Sequence, residues 1–122
     1  MHDTPADFAA AWIAAWNSND LDTLMAHYSA DVTFTSPRAA IVTGSAIVRG
    51  RDALRAYWSA AIQRAASRHF TLERVLWDAA RSELVIIYVN EVDGQRLRAC
   101  EIFQFSPAGP VATAEAMYGA AV

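Results

Sequence analysis

The spacing of apolar residues changes once along this chain, close to residue 69. Before that point they recur every three or four positions, as Phe8, Trp12 and Trp16 do, which is typical of an amphipathic helix. After it they alternate with polar residues, which predicts strands over four segments, 70–77, 84–92, 95–105 and 111–118. Helices followed by consecutive strands predict an α+β fold, with the helices packed on one face of a curved sheet.

Local signals divide the N-terminal half into three predicted helices. Thr4 and Pro5 have the residue types of a helix cap and a first helical position. The polar run 17–20 ends that helix and caps a short second one over 21–28. A third helix is predicted over 52–66, where apolar residues again share one face.

The segment between the second and third helices has mixed signals. Residues 32–36 are rich in strand-forming types, and this strand is predicted to stop at Pro37. Gly44 and Gly50 interrupt the residues that follow. We therefore expect residues 38–50 to form a short strand pair or a mobile loop.

Size and charge exclude several classes of protein. The 122 residues suffice for one core, so residues 1–122 are predicted to be a single domain. A net charge of −3 without a block of like charge argues against nucleic-acid binding. One cysteine, Cys100, and three widely separated histidines imply no disulfide, no metal and no cofactor. The acidic start without a basic segment, and the short apolar runs, predict a cytoplasmic protein without membrane association. All ten basic residues are arginine, which suggests a bacterial source with a GC-rich genome.

The dipeptide Asp93-Gly94 fixes which face of the sheet each side chain occupies. It predicts a two-residue hairpin turn between two of the strands. Glu91 then lies opposite Arg96, a favourable pair of opposite charges across the strands. In this register Glu101 shares the more aromatic face of the hairpin, the face expected to contact the helices.

Glu101 is the chemically most informative residue of this face. A carboxylate among apolar side chains raises its pKa, finds a partner, or lines a wet cavity. One interpretation is a glutamate at the rim whose head reaches solvent or an arginine; the other is the acid of an internal pocket. Tryptophans on helices that face the sheet can line such a cavity for a flat apolar ligand, and the small residues Ala112, Ala114 and Ala116 leave room for it.

The opposite face of the hairpin is apolar at its centre. Its residues are Val85, Ile87, Val89, Cys100 and Ile102. Monomers rarely leave such a patch in water, so we expect a homodimer to form through this face. Cys100 is interpreted there as a packed apolar side chain rather than a nucleophile.

Several segments of the chain resemble the nuclear transport factor two-like superfamily, which includes SnoaL-like cyclases and ketosteroid isomerases. They are 12–17 (WIAAWN), 20–22 (DLD), 28–34 (YSADVTF), 50–58 (GRDALRAYW), 101–105 (EIFQF) and 117–119 (MYG). The resemblance covers nearly the whole chain. It implies a cone-shaped, curved antiparallel sheet wrapped around three N-terminal helices, an internal pocket, and a homodimer formed through the convex sheet face.

The resemblance also implies roles for individual residues. Glu101 stands where ketosteroid isomerases have a protonated acid, and Trp12 stands at the place of their tyrosine. Ser36 stands where their catalytic base should be, and a serine without its own activating base does not abstract a carbon-bound proton at neutral pH. Steroid isomerisation is therefore not expected. The epoxide-hydrolase branch fits no better, because Ala99 occupies the place of its arginine.

Three functions remain open from the sequence. The first is a cofactor-independent enzyme catalysing isomerisation, cyclisation, dehydration or hydrolysis, with Glu101 as catalytic acid or base. The second is non-catalytic binding of a small, largely apolar molecule, and the third is a dimerisation module with a vestigial pocket. The residues expected to contact a ligand are Trp12, Trp16, Tyr28, Phe34, Ser36, Trp58, Tyr88, Asn90, Phe103 and Tyr118.

Overall fold

A computed structural model describes residues 4–122. Residues 1–3, which belong to the acidic start of the chain, lie outside the described residues. The described chain forms four helices, α1 (Pro5–Asn17), α2 (Leu21–Met25), α3 (Pro37–Thr43) and α4 (Arg51–Arg64). It forms six strands, β1 (Tyr28–Thr35), β2 (Ile47–Arg49), β3 (Arg68–Asp78), β4 (Glu83–Val92), β5 (Gln95–Phe105) and β6 (Val111–Ala121). None of the helices within residues 4–122 has the length and apolar character needed to cross a bilayer.

The strands make one sheet in the order β2-β1-β6-β5-β4-β3. The predicted α+β class, with a curved sheet against N-terminal helices, is confirmed. The sheet is not antiparallel throughout, because β6 returns beside β1 in the same direction. This parallel pair was not predicted, since it joins residues some 80 positions apart and no local pattern records it.

The segment 38–50 differs from both forms expected for it. It contains α3 and the short strand β2, which pairs with β1. The physical reason is a set of helix-end signals. Ser36 caps the first turn, Pro37 occupies the first helical position, and Gly44 ends the helix in the left-handed conformation with φ of 84°. These signals are present in the sequence but enclose only seven residues, too few for a clear helical period.

The predicted hairpin register is confirmed at every pair of β4 and β5. Glu91 lies opposite Arg96, and Ile86 lies opposite Glu101. Asp93 and Gly94 both have positive φ, 50° and 86°, as the two-residue turn requires. The face that carries Glu101 is accordingly the buried one.

Helix α1 packs its aromatic stripe onto this face. Phe8, Trp12 and Trp16 are all buried. At its C-terminal end the Asn17 side chain accepts a hydrogen bond from the backbone N–H of Phe70 (2.7 Å) and donates one to the carbonyl of the same residue (2.9 Å). This pair of bonds fixes α1 against β3 at the far edge of the sheet.

Candidate functional site

A cavity of about 130 Å³ lies between the helices and the inner face of β4 and β5. Its wall is mainly aromatic, and the rings come from α1, α4 and four strands: Trp12, Trp16, Phe34, Tyr57, Trp58, Phe70, Tyr88 and Tyr118. Two small residues, Ala61 of α4 and Ala65 immediately after this helix, also line the space. Because they have almost no side chain, they leave open volume where a larger residue would fill the core.

The aromatic wall is held by ring-to-ring contacts. Trp16 meets Trp58 edge-on at 5.1 Å between ring centroids, and Trp12 meets Tyr88 edge-on at 5.4 Å. Such edge-to-face pairs add about 0.5–1.5 kcal/mol each beyond their buried area. The wall is therefore a packed layer that presents π faces and ring edges to the cavity.

Glu101 is the one carboxylic acid of the cavity wall among the described residues. It projects from β5 with Ile86 and Ala116 opposite it on the neighbouring strands, and the residue is 4% exposed. Burial raises the pKa of Glu101 from 4.5 to about 8, with a hydrogen bond from Tyr28 acting in the opposite direction. Its Oε2 atom has no hydrogen-bond partner within residues 4–122. At neutral pH the group is thus mostly protonated and has one oxygen free for a ligand.

A short chain of hydrogen bonds supports the acid from behind. The Trp12 indole N–H donates to the Tyr28 hydroxyl oxygen at 3.0 Å, and Tyr28 in turn interacts with Glu101. Burial and then the nearby Glu101 charge raise the pKa of Tyr28 well above its ordinary value, so it stays a neutral hydroxyl. The resemblance places Trp12 where ketosteroid isomerases have a tyrosine. In this structure the Trp12 indole bonds to Tyr28, and Tyr28 contacts Glu101.

Two more polar atoms of the wall lack partners. Asn90 Oδ1 and Trp16 Nε1 are buried and make no hydrogen bond to any described residue. Buried polar atoms are normally paired, because each unpaired one costs about 1–3 kcal/mol. Together with Glu101 they offer one acceptor and two donors to a bound molecule.

The structure brings most of the predicted binding residues to this cavity. Trp12, Trp16, Phe34, Trp58, Tyr88, Asn90 and Tyr118 line it together with Glu101. Tyr28, Ser36 and Phe103 do not line it; they are buried in a layer behind the wall. Ser36 is engaged as the cap of α3, where its Oγ accepts from the Arg38 backbone N–H at 3.2 Å.

Several residues of the site were not predicted. Tyr57 and Ala61 on α4 and Ala65 just after it recur every fourth residue, so a helical period could have found them. Arg38 was missed because its helix, α3, was not predicted. Arg68 was missed because it reaches the cavity from the start of β3, over the Trp16 ring at 5.0 Å.

The fourth tryptophan and the cysteine lie outside the cavity. Trp77 is 45% exposed and contributes nothing to the cavity. Cys100 is half-buried on the opposite sheet face, and burial raises the pKa of its thiol, which keeps it protonated. No group of three or more His, Cys, Asp or Glu residues between positions 4 and 122 is arranged to hold a metal ion.

Known proteins share this sequence pattern and architecture. Residues 9–113 match the SnoaL-like domain family. The structure is similar to a SnoaL-like protein of unknown function from Burkholderia thailandensis, with 30% identity, a TM-score of 0.85, and coverage of 95% of this chain and 94% of that chain. No curated protein gives a significant sequence match.

Two more distant structures share the fold. One is a protein of unknown function with a cystatin-like fold from Methylobium petroleophilum, with 19% identity, a TM-score of 0.78, and coverage of 95% and 76% of the two chains. The other is a hypothetical protein with a ketosteroid isomerase-like fold from Catenulispora acidiphila, solved in complex with trimethylamine. It has 16% identity, a TM-score of 0.71, and coverage of 98% of this chain and 88% of that chain.

Proposed function

This chain belongs to the SnoaL-like domain family, and on that premise we propose that its cavity binds a small, largely apolar molecule on which Glu101 acts as acid or base. The reaction class is a cofactor-independent isomerisation, cyclisation, dehydration or hydrolysis. Glu101 is the observation that carries the proposal, because it is a buried acid with an unpaired oxygen and a pKa of about 8. A pKa near the working pH lets one group both give and take a proton.

The volume of the cavity limits the ligand. A space of about 130 Å³ is close to that of an apolar cavity that holds a single benzene ring, about 150 Å³. Drug-sized ligands occupy about 300–1,000 Å³. The size therefore favours a molecule of one ring over a steroid, in agreement with Ser36 being the cap of a helix rather than a base.

Each polar group of the wall has a role in this proposal. The protonated Glu101 donates a hydrogen bond to a carbonyl or hydroxyl oxygen of the ligand, and Tyr28 holds the acid in place from the other side. Asn90 Oδ1 and Trp16 Nε1 orient the ligand through the bonds that they lack within the protein. The aromatic wall excludes water, which strengthens these interactions.

The test uses a single-ring ketone. Binding of 2-cyclohexenone is followed by quenching of tryptophan fluorescence. Conversion of 3-cyclohexenone to the conjugated 2-isomer, in which Glu101 itself must take and return the proton because Ser36 is not a base, is followed by ultraviolet absorbance. We expect Glu101→Gln to keep binding within about threefold and to reduce turnover at least about a hundredfold. Asp52→Asn, a change at an exposed residue of α4 that does not line the cavity, is the matched control and should alter neither. Binding without turnover in the unaltered protein would favour the non-catalytic alternative, and absence of binding would refute the proposal.

We also propose that the protein forms a homodimer through the outer sheet face. Ile87 and Cys100 pair at the centre of that face, with Val85 and Ile102 beside them, and all four are only partly buried. Two exposed apolar side chains continue this patch on the neighbouring strands. Leu76 of β3 lies opposite Val85, and Met117 of β6 lies opposite Cys100. A continuous apolar patch of this kind is typical of an interface between subunits.

A further inference from the structure

A second depression, of about 220 Å³, adjoins the aromatic cavity. Arg38, Tyr57, Ala61, Ala65 and Val92 line both spaces, so the two are contiguous. The remaining lining residues of the second space are Val42, Arg64 and Asp93. We call this more open space, bounded by α3, α4 and the turn after β4, the vestibule.

The vestibule has two arginines without acidic partners. The ion pairs of residues 4–122 are Arg55–Asp22, Arg96–Glu91 and Arg98–Glu73, so neither Arg38 nor Arg64 takes part in one. The one carboxylate of the vestibule, Asp93, instead accepts a hydrogen bond from the backbone N–H of Ser67 at 2.9 Å.

The acid inside the cavity does not neutralise these arginines either. Glu101 has a pKa of about 8, so at neutral pH it is mostly uncharged. A third arginine, Arg68, lines the aromatic cavity but not the vestibule. Its side chain donates hydrogen bonds to the Trp16 carbonyl and to the Asn19 side chain, which anchor it within the protein. The vestibule therefore has two arginines against one carboxylate, and the entrance to the cavity carries a net positive charge.

Arg38 is held in place where the two spaces meet. Its guanidinium carbon lies 3.9 Å from the centre of the Tyr118 ring, a stacking contact that restricts the side chain. The Tyr57 and Tyr118 hydroxyls hydrogen-bond with Ser36 beside it. Burial raises the pKa of both tyrosines, so they are neutral hydroxyl groups. A fixed guanidinium next to neutral hydroxyl donors is a favourable arrangement for a carboxylate.

We propose that the ligand is an amphipathic carboxylate, whose ring occupies the aromatic cavity and whose carboxylate is bound by Arg38 and the Tyr57 hydroxyl at the vestibule. This inference rests on the proposed ligand-binding function and adds the chemical class of the ligand. Arg64, exposed on the vestibule wall, adds positive charge that attracts the anion from solution.

Three probes with the same ring test the charge preference. Phenylacetate, phenylacetamide and 2-phenylethylammonium have nearly the same size and are anionic, neutral and cationic at pH 7. Dissociation constants are measured by tryptophan fluorescence and by calorimetry at low ionic strength. We expect phenylacetate to bind at least about tenfold more tightly than the amide, and the ammonium to bind most weakly.

Arginine variants identify the residue that causes the preference for the anionic probe. Arg38→Gln should reduce the affinity for phenylacetate about tenfold more than the affinity for the amide, because only the anion loses an ionic partner. Continued binding of the amide reports an intact cavity. Arg49→Gln, at an exposed residue of β2 that lines neither space, is the matched control and should keep the full preference.

The outcomes separate this inference from the function on which it rests. Equal affinity for the three probes, or tightest binding of the ammonium, would overturn the carboxylate assignment while the cavity remained a binding site. A preference that persists in Arg38→Gln would overturn the role of Arg38. Failure of all three probes to bind would refute both the carboxylate assignment and the proposal that the cavity takes single-ring molecules.

Discussion

Replacing Glu101 by glutamine should change how the stability of the protein depends on pH. The replacement keeps the size of the side chain and removes its ability to ionise. In the unaltered protein, burial raises the pKa of Glu101 from 4.5 to about 8. The acid is stable inside the fold in its protonated form, and deprotonation places a charge in an apolar site.

The sign and size of the effect follow from proton linkage. Below pH 4.5 the group is protonated in the folded and the unfolded chain, and its stabilising contribution is fully present. As the pH rises from 4.5 to about 8, the unfolded chain loses the proton while the folded protein keeps it, so the free energy of unfolding falls. At about 1.36 kcal/mol per pH unit, the loss over this interval is at most about 5 kcal/mol. A domain of this size has about 5–15 kcal/mol of stability in all, so the loss is large.

Urea denaturation at pH 5, 7 and 9, followed by tryptophan fluorescence, measures this difference. At pH 5 the Glu101→Gln protein should match the unaltered protein within about 1 kcal/mol, and at pH 9 it should be more stable by several kcal/mol, up to about 5. Asp52→Asn, at an exposed residue of α4, should stay within about 0.5 kcal/mol of the unaltered protein at each pH. Identical pH dependence with glutamic acid and with glutamine at position 101 would show that this side chain is solvated or paired in the fold, and the assignment of a buried acid would be wrong.

Two further changes test the outer sheet face and the attachment of α1. The double change of Ile87→Lys and Ile102→Lys places charges in the apolar centre of that face. At micromolar concentration the unaltered protein should sediment as a dimer and the changed protein as a monomer. An unaltered protein that is already monomeric would contradict the interface. Asn17→Ala removes both hydrogen bonds to Phe70 and should lower the free energy of unfolding, measured in urea, by about 2 kcal/mol. The control, Gln63→Ala on the exposed side of α4, should lower it by less than about 0.5 kcal/mol. Equal effects of the two changes would show that these bonds add no stability.

Features encoded by neighbouring residues could be predicted from the sequence. The Asp93-Gly94 turn sets the β4–β5 register, and that register alone assigns Glu101 to the inner face. The aromatic stripe of α1 follows from a four-residue spacing. These predictions are confirmed because a turn type and a helical or strand period depend on residues within a few positions of one another.

Other features depend on residues that meet only in the folded chain. The parallel pairing of β1 with β6, the contact between Tyr28 and Glu101, and the meeting of Arg38 with Tyr118 each join positions more than 70 residues apart. Cavity volume belongs to the same group, because it is the small space left after large side chains from several elements have packed. The sequence by itself determined that an acid would lie on an aromatic inner face. Tertiary packing decided that this acid would have one unpaired oxygen, a tyrosine behind it and an arginine at the entrance, since each of these depends on distances between elements that no local pattern specifies.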